Sequence, residues 1–487
     1  MSVVARRRRR PTRAAVAVWV RRLDLVADAL GKPRPAGSAS LEARLAEAID
    51  VTDRTQVWLT LAVLAATLPD DLTVERTARE ALFHGPRRVL DAVADLSTKE
   101  SLEAAVRVVT EATLVDVQHT ASTPFATGIQ RVARETVRRW AAAHPVVLVS
   151  WTEGFSALRT LTPEEEERMT GQSAGPYDPS VLVPWRATYV VPELAADLER
   201  TRRLLALARH SDNRTGTIGF DTVPITSAET SDTGFAGYFA NYLAAVRHFD
   251  RIATISRAAA TEYRGWRAML AAIGLPGPDI EPVLLPAEAP SPDDGALASA
   301  RRRFVRDDLP LVLCVGTFEP RKNHLAVLHA AEMLWRDGLR FSLTFVGGRS
   351  WKAGRFQLEL SRLQEAGYPV ETASGVPDAE LWAAYRLARF TVFPSLNEGF
   401  GLPAAESLAA GTPVVTSNFG SMAEIASDGG AVLVDPRDDE SLIDGMRRLL
   451  VDDRLLMVLR AEAAARSRRT WDDYATDTWK YLVGTSV

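Results

Sequence analysis

Six apolar, strand-like runs alternate with helical patterns between residues 296 and 467, and this alternation restricts the fold more than any other feature of the sequence. Runs such as LPLVLCVGTF and FSLTFVGG are followed by stretches with apolar residues at three- and four-residue spacing, such as HLAVLHAAEMLWRDG. Apolar strands separated by helices are typical of a parallel sheet covered on both faces. The sequence therefore predicts a complete, doubly wound Rossmann-like domain over residues 296–467.

A second block of the same kind occupies residues 111–288. ATLVDVQHT predicts a strand, ASTPFATG a loop, IQRVARETVRRWAAAH a helix and PVVLVSW the next strand. The segment APSPDDG at residues 289–295 is polar and proline-containing, as in a linker. We therefore expect an α/β protein with two tandem Rossmann-like domains facing a cleft, where ligands of open parallel sheets bind.

Residues 1–110 have a helical pattern up to and including SLEAAVRVVTEA, and they carry neither metal-ligand spacing nor a glycine-rich loop. They are predicted to be a helical extension. Its first residues, MSVVARRRRRPTR, are interpreted either as a solvated, disordered tail or as a weak anchor to anionic lipid headgroups. The longest apolar run, VWLTLAVLAATLP, is shorter than the roughly 18 residues that a membrane-spanning helix needs.

Net charge and cysteine content bear on the partners and the cellular compartment of the protein. The net charge of −4 gives no indication of a nucleic-acid partner. The single cysteine, Cys314, excludes an internal disulfide and is typical of a reducing compartment. We expect a cytoplasmic protein in which Cys314 is a buried strand residue, with peripheral contact to the inner membrane face if the basic tail binds lipid.

The segment NEGFGLPAAE follows the apolar strand FTVFPS, so it lies at the carboxyl end of the predicted sheet. Gly399 and Gly401 permit a close backbone approach, and Pro403 is suited to the first turn of a helix. The N–H groups at the start of that helix would then face a phosphate with the helix dipole behind them; these are the N–H groups of Phe400, Gly401 and Leu402.

Two carboxylates bracket this anion-binding segment. Glu406, one turn into the helix, is suited to accept hydrogen bonds from ribose hydroxyls, and Glu398 from hydroxyls beyond the phosphate. Each could instead be a helix-terminal or solvated acid. The loop VGTFEPRKNH adds two cations, Arg321 and Lys322, at another strand end, where they would suit a diphosphate unless they belong to a surface turn.

Together these segments resemble the nucleotide-sugar-binding half of retaining GT-B glycosyltransferases, the glycosyl transferase group 1 family that includes bacterial mannosyltransferases and sucrose-phosphate synthases. The segments that carry the resemblance are VGTFEPRKN, TFVGG, GVPDAELWAAY, VFPSLNEGFGLPAAESLAAGTPVVTSNFGSMAEI and AVLVDP. The resemblance covers about residues 110–487. It implies that the last helix, residues 468–487 with Trp471 and Trp479, crosses back onto the first domain.

The resemblance also implies site roles. Lys322 with Arg321 would neutralise the diphosphate, Glu398 would contact the transferred sugar and Glu406 the ribose. Further donor-binding positions would be the first loop, the base-binding region and the helix N-terminus; these are Gly316, Thr317, Val376, Gly399, Phe400, Gly401 and Leu402. Thr317 replaces an arginine that many members carry, and Arg321 is the candidate to supply that charge.

The first domain carries the other half of the implied site. FATGIQRVARE resembles the family's first loop, with Gly128 approaching the diphosphate and Arg131 near it. In IGFDTVP, Phe220 replaces a histidine that some members carry, which leaves Asp221 as the nearest polar group and a candidate catalytic residue. His119 is an alternative, although a lone histidine of this kind is more often structural.

The implied reaction transfers a sugar with retention, and the leaving diphosphate takes the acceptor proton on the same face. Such a mechanism needs no metal, and the aspartate pairs at Asp307, Asp438 and Asp452 are predicted to be solvated. The implied partners are a nucleotide sugar and a glycan or lipid-linked acceptor. The alternatives are a small-molecule acceptor or a non-catalytic nucleotide-sugar-binding subunit. A sugar-nucleotide epimerase or phosphorylase fits NEGFGLPAAE and EPRKN less well, and a dehydrogenase would need a G-x-G-x-x-G motif.

Overall fold

The computed structural model describes residues 12–35, 40–123, 127–172, 177–306, 309–348, 353–467 and 469–484. The basic amino-terminal run and Asp307, on which two of the predictions above depend, lie outside these residues. The described chain forms a helical extension followed by two domains, one built on a nine-stranded sheet and one on a six-stranded sheet. The prediction of two Rossmann-like domains behind a helical extension is confirmed.

The extension consists of α1 (Arg13–Ala29), α2 (Leu41–Ala48), α3 (Arg54–Ala65), α4 (Asp71–His84), α5 (Arg87–Leu96) and α6 (Lys99–Glu103). Because α3 is apolar on all sides, it is buried among the other helices and against the next domain. The rings of Trp58 on α3 and Trp185 stack with centroids 6.5 Å apart. The extension and the first domain therefore share one hydrophobic core.

The first domain contains β1 (Val106–Val109), β2 (Thr113–Asp116), α7 (Gln118–Ser122), α8 (Gly128–Ala143), β3 (Val146–Trp151), β4 (Leu158–Thr160), α9 (Pro163–Thr170), β5 (Val181–Pro184), β6 (Thr188–Val191), α10 (Leu198–His210), β7 (Arg214–Gly219), α11 (Val223–Thr226), α12 (Phe235–Val246), β8 (Arg251–Thr254), α13 (Arg257–Ala272) and β9 (Asp279–Pro282). Its strand order is β1-β5-β4-β3-β2-β6-β7-β8-β9. The strands are parallel except β4, which runs antiparallel to β3 and β5.

The second domain contains α14 (Asp294–Phe304), β10 (Leu311–Val315), α15 (His324–Arg336), β11 (Ser342–Val346), α16 (Gly354–Glu365), β12 (Val370–Ala373), α17 (Asp378–Leu387), β13 (Phe390–Phe393), α18 (Leu402–Ala409), β14 (Val414–Ser417), α19 (Gly420–Ala426), β15 (Ala431–Val434), α20 (Asp439–Val451) and α21 (Asp453–Ala465). Its order, β12-β11-β10-β13-β14-β15, is all parallel. The strand order changes direction between β10 and β13. The loops that follow these two strands therefore diverge and leave a crevice, where sheets of this kind bind ligands.

The last helix, α22 (Trp471–Leu482), packs on the first domain rather than on the second. The indole Nε1 of Trp140 on α8 donates to the carbonyl oxygen of Ala475 at 2.9 Å, and the Trp140 and Trp479 rings meet edge to face. Trp471 is itself buried. The chain thus crosses between the domains a second time at its carboxyl end.

One element was predicted wrongly. SLEAAVRVVTEA is not a helix throughout, because its VRVV portion is strand β1, paired with β5 at the edge of the sheet. Three of those four residues are β-branched valines, which favour a pleated strand. The short strands β4 and β5 were missed, since neither forms part of a regular strand–helix alternation.

Candidate active site

Three charged side chains of the second domain meet at the crevice. Lys322 and Arg321 lie in a short 3-10 turn after β10, and Glu398 lies in the loop after β13. The Lys322 Nζ is 2.6 Å from one Glu398 carboxylate oxygen, and an Arg321 guanidinium nitrogen is 2.6 Å from the other. The structure therefore brings together the residues that the sequence placed in two separate loops.

Burial and charge decide the protonation of this group. Burial alone would raise the pKa of Glu398, but Arg321 and Lys322 outweigh it and lower that pKa to about 2. Burial lowers the pKa of Lys322, and Glu398 acts against that shift. Glu398 is consequently ionised at neutral pH and holds both cations in place.

The second glutamate, Glu406, is buried on α18 and touches the other domain. One of its oxygens is 2.5 Å from a guanidinium nitrogen of Arg131 on α8, and the other accepts a hydrogen bond from the Tyr385 hydroxyl at 3.0 Å. Burial raises the pKa of Glu406 above its usual value, and the opposing effects of Arg131 and Tyr385 are smaller. Glu406 thus has one carboxylate oxygen aimed at the cleft and already paired there with a cation.

Two helix N-termini face each other beside this pair. The first residue of α8 is Gly128, and a Cβ at that position would lie 3.4 Å from the Leu402 side chain at the start of α18. Gly401 caps α18 with φ +99°, a conformation that favours glycine. Within the described residues, no hydrogen bond inside the protein uses the N–H groups of Phe400, Gly401 and Leu402. Two dipoles and several free N–H groups therefore converge on one point of the cleft.

Gly399 makes a close approach to the first domain, whereas the sequence predicted a close approach to the donor. A Cβ there would lie 2.5 Å from the carbonyl oxygen of Phe220 and 3.0 Å from Asp221, at the carboxyl end of β7. The glycine lets the loop that carries Glu398 press directly against the first domain. Burial, with Glu262 and Glu398 nearby, raises the pKa of Asp221 to about 6 despite the attraction of Arg321.

The remaining sequence candidates differ in their contacts with this group. Gly316 directly follows β10 with φ +149° and lies against the Lys322 side chain, while Thr317 beside it is exposed. Val376 follows β12 and packs partly on the hydrophobic core. His119 is exposed, and its backbone N–H donates to Glu193 at 2.7 Å. Within the described part of the chain, no hydrogen bond, ion pair or ring contact joins the His119 ring to the group around Glu398.

Several residues that complete the site were missed by the sequence analysis. Tyr385 holds Glu406, the Ser395 hydroxyl donates to Glu398 at 2.6 Å, and Glu319 pairs with Arg321 at 2.6 Å. Glu319 lies within the EPRKN segment and could have been suspected from its position. Tyr385 and Ser395 carry no signal in the sequence, because a buried tyrosine or serine is ordinary in a core.

A cavity of about 1290 Å³ opens between the two domains. Its lining includes Arg131, Phe400, Asp378 and Trp382, together with the interdomain linker from Leu284 to Asp293. Arg131 and Phe400 place the cavity beside the starts of α8 and α18, but neither Glu398 nor Glu406 lines it. The cavity therefore adjoins the two helix N-termini and does not enclose them, and its volume exceeds that of a phosphate.

Potential metal ligands lie elsewhere. Among the described residues, Asp71, Glu75 and His210 form a group on α4 and α10, but Arg209 already contacts both oxygens of Asp71 at 2.7 and 2.8 Å. Asp438 and Asp452 are exposed helix caps. None of the described helices combines the length and apolar character needed to cross a membrane.

Fold and sequence together define the class. Residues 299–468 match the family model described as glycosyl transferases group 1, so the second domain is a glycosyl transferase group 1 domain. Two facing Rossmann-like domains with a returning carboxyl-terminal helix match the GT-B architecture.

Individual proteins resemble this chain in sequence or in fold. The chain is 34% identical over 168 residues to O-antigen chain mannosyltransferase B of Escherichia coli, a match covering 34% of this chain and 44% of that protein. The chain thus spans less than half the length of this curated relative. In fold it is similar to the sucrose-phosphate synthase of Thermosynechococcus elongatus, with TM-score 0.55, 17% identity and coverage of 76% of this chain and 98% of that chain. It is also similar to Anabaena HepE in complex with UDP and glucose, with TM-score 0.57, 12% identity and coverage of 77% and 100%.

Proposed function

We propose that this protein is a retaining glycosyltransferase that moves a hexose from a nucleotide sugar to a hydroxyl group of a glycan or lipid-linked glycan. The observation that carries the proposal is the meeting of the α8 and α18 N-termini at Gly128 and Leu402, flanked by Glu398 on one side and Glu406 on the other. A nucleotide sugar presents hydroxyls, diphosphate and hydroxyls in that order, which matches carboxylate, anion site and carboxylate.

The cations of the site support a diphosphate ligand. Arg321, Lys322 and Arg131 each contact a carboxylate in the structure, at 2.5 to 2.6 Å. A bound diphosphate would therefore share cations that are already positioned, and Arg321 and Lys322 are also largely desolvated, which makes their interactions stronger than in water. Glu406 would exchange Arg131 for the ribose hydroxyls, and Arg131 would turn to the phosphates.

The proposed chemistry balances without a protein nucleophile. The bond between the anomeric carbon and the diphosphate oxygen breaks, and the acceptor oxygen bonds to the anomeric carbon on the same face. The acceptor proton passes to the departing phosphate oxygen. Lys322, Arg321 and the α18 N-terminus stabilise the charge that develops on the diphosphate, and no step requires a metal. Asp221, which faces Gly399, is proposed to hydrogen-bond a hydroxyl at the reacting end.

The acceptor and the setting are proposed from the relatives. The matched Escherichia coli protein is named an O-antigen chain mannosyltransferase, which favours mannose as the sugar and a surface glycan as the acceptor. Anabaena HepE binds UDP and glucose, so the base is left to experiment. We propose a cytoplasmic enzyme in which the arginine-rich first residues of the sequence contact the inner membrane face.

A thermal-shift screen against UDP-, GDP-, dTDP- and ADP-sugars tests the donor site. A ligand at a hundred times its Kd adds about 2.7 kcal/mol of stability. We expect one nucleotide to raise the Tm of the wild type by a measurable amount, and Glu406→Ala to lose that response. Glu440→Ala, on the exposed face of α20, is the matched control and should keep it. Folded wild-type protein that responds to none of the four would contradict the proposal.

A further inference from the structure

The N-terminus of α13 in the first domain is held by the second domain at three points. Ser256 caps the helix, and its hydroxyl accepts from the Ala259 N–H at 2.9 Å while donating to the Gly399 carbonyl at 2.6 Å. The next two N–H groups, those of Arg257 and Ala258, donate to the two carboxylate oxygens of Glu424 at 3.1 and 3.0 Å. A carboxylate from one domain therefore caps a 16-residue helix of the other.

Glu424 is connected through its own helix to the loop that carries Glu398. It lies on α19, and one turn earlier on the same helix the Ser421 hydroxyl donates to the backbone carbonyl of Glu398 at 2.8 Å. The helix thus holds Glu398 with one side chain and the opposite domain with another. Since Gly399 presses on Asp221, the distance between Glu398 and the first domain depends on this contact.

We infer that Glu424 is the positioning residue that closes the two domains over the donor, by capping α13 across the cleft. This inference rests on the proposed function. The Arg131–Glu406 pair also bridges the domains, but it occupies the ribose position and has to rearrange when a donor binds. Glu424 and Arg257 line the interdomain cavity, but none of the side chains proposed to hold the donor takes part in their contact, so it can form with the donor bound. It then sets Glu398 and Gly399 against Asp221 during the reaction.

Removal of the Glu424 carboxylate should lower turnover and weaken donor binding together, because the proposed donor site lies between the two domains. In Glu424→Ala, two helix N–H groups lose a charged acceptor, and the equilibrium constant for domain closure falls on the order of 10- to 100-fold, as expected for charge-assisted hydrogen bonds. We expect kcat to fall by a comparable factor. The Kd of UDP or GDP, whichever binds the wild type, should rise by up to the same factor, since the diphosphate is held between α8 of one domain and α18 of the other.

Glu462→Ala is the matched control. The Glu462 carboxylate also accepts from a backbone N–H, that of Gly430 at 2.8 Å, but both residues belong to the second domain. The Glu462→Ala variant should be less stable to unfolding than the wild type, but its two domains should remain closed. Glu424→Gln, which keeps one carbonyl acceptor, should be intermediate, and it keeps the test open if the alanine variant does not fold.

An interdomain distance measurement separates positioning from mere stability. Spin labels at Met269→Cys on α13 and Leu358→Cys on α16 place one exposed site in each domain, at 71% and 72% exposure. The native Cys314 is buried and its thiol pKa is raised by that burial, so it should not react. We expect a single short distance in the wild type and in Glu462→Ala, and a longer, broader distribution in Glu424→Ala.

The outcomes are distinguishable. Unchanged distances and unchanged kcat in Glu424→Ala would overturn the inference, even if the protein transfers sugar. Equal losses of kcat in Glu424→Ala and Glu462→Ala would also overturn it, because general destabilisation would then explain both. If the wild type binds no nucleotide, the proposed function fails, while the distance distributions still show whether Glu424 closes the domains.

Discussion

Asp221 should reduce the stability of the folded protein at neutral pH, and Asp221→Asn should reveal by how much. Its ordinary pKa of 3.8 rises to about 6 in the folded chain, chiefly through burial and then through Glu262 and Glu398. The folded state therefore holds a proton that the unfolded state has lost between these values. The stability that this extra proton gives the folded state is fully present below about pH 4 and is lost as the pH rises through about 6.

The magnitude follows from the size of the shift. A difference of about two pKa units corresponds to roughly 3 kcal/mol. Asparagine has nearly the same shape and cannot ionise, and its side-chain oxygen can still accept from the Val223 N–H, a contact of 3.1 Å in the wild type. Asp221→Asn should match the wild type near pH 4 and exceed it by up to about 3 kcal/mol above pH 7.

Calorimetric melting of both proteins from pH 4 to pH 9 measures this difference. For a domain of this size, about 3 kcal/mol corresponds to a Tm increase of several degrees. We expect the difference to grow between about pH 4 and pH 6 and to stay constant above pH 7, while turnover falls, as is common when an active-site group is removed. A difference that does not vary with pH, or a variant less stable than the wild type at pH 8, would refute this reasoning.

Three further outcomes are expected. Lys322→Met should lower the rate of donor consumption by roughly 10²- to 10³-fold, because it removes a cation from the developing charge; a rate within threefold of the wild type would exclude this role. Gly399→Ala places a Cβ 2.5 Å from the Phe220 carbonyl, so it should abolish turnover while calorimetry still detects nucleotide binding, and Gly265→Ala, with no atom within 4 Å, is its control. Loss of nucleotide binding in Gly399→Ala would show that the glycine serves the donor instead. Arg22→Met removes hydrogen bonds of 2.6 to 2.7 Å to three backbone carbonyls, and urea unfolding should show a loss of roughly 3 kcal/mol; a loss below about 0.5 kcal/mol would contradict it.

The second domain could be predicted from the sequence because each of its strands is a continuous apolar run between amphipathic helices. Parallel strands buried on both faces leave that pattern and few alternatives. The edge strand β1 escaped notice, since its VRVV run follows a helical pattern directly and its partner β5 lies far along the chain. A pairing between distant segments leaves no local period to read.

The candidate site also contains residues that the sequence predicts and contacts that it does not predict. Glu398, Glu406, Arg321 and Lys322 were predicted because they stand at fixed positions in two loops at strand ends. The contacts of Glu424 and Ser256 join segments separated by 166 to 167 and 143 residues, and each crosses from one domain to the other. The close approach of Gly399 also crosses this interface, since its neighbour is the end of β7. Geometry of this kind arises from the packing of two domains and has no signature in either segment alone.

A crystal structure with the nucleoside diphosphate that stabilises the protein would test the central claim most directly. We expect the diphosphate to lie between the N-termini of α8 and α18, with the ribose hydroxyls on Glu406 and with Arg131 turned from Glu406 towards the phosphates. A nucleotide bound elsewhere, or one bound in the cleft while the 2.5 Å contact between Arg131 and Glu406 persists, would contradict the proposed donor site.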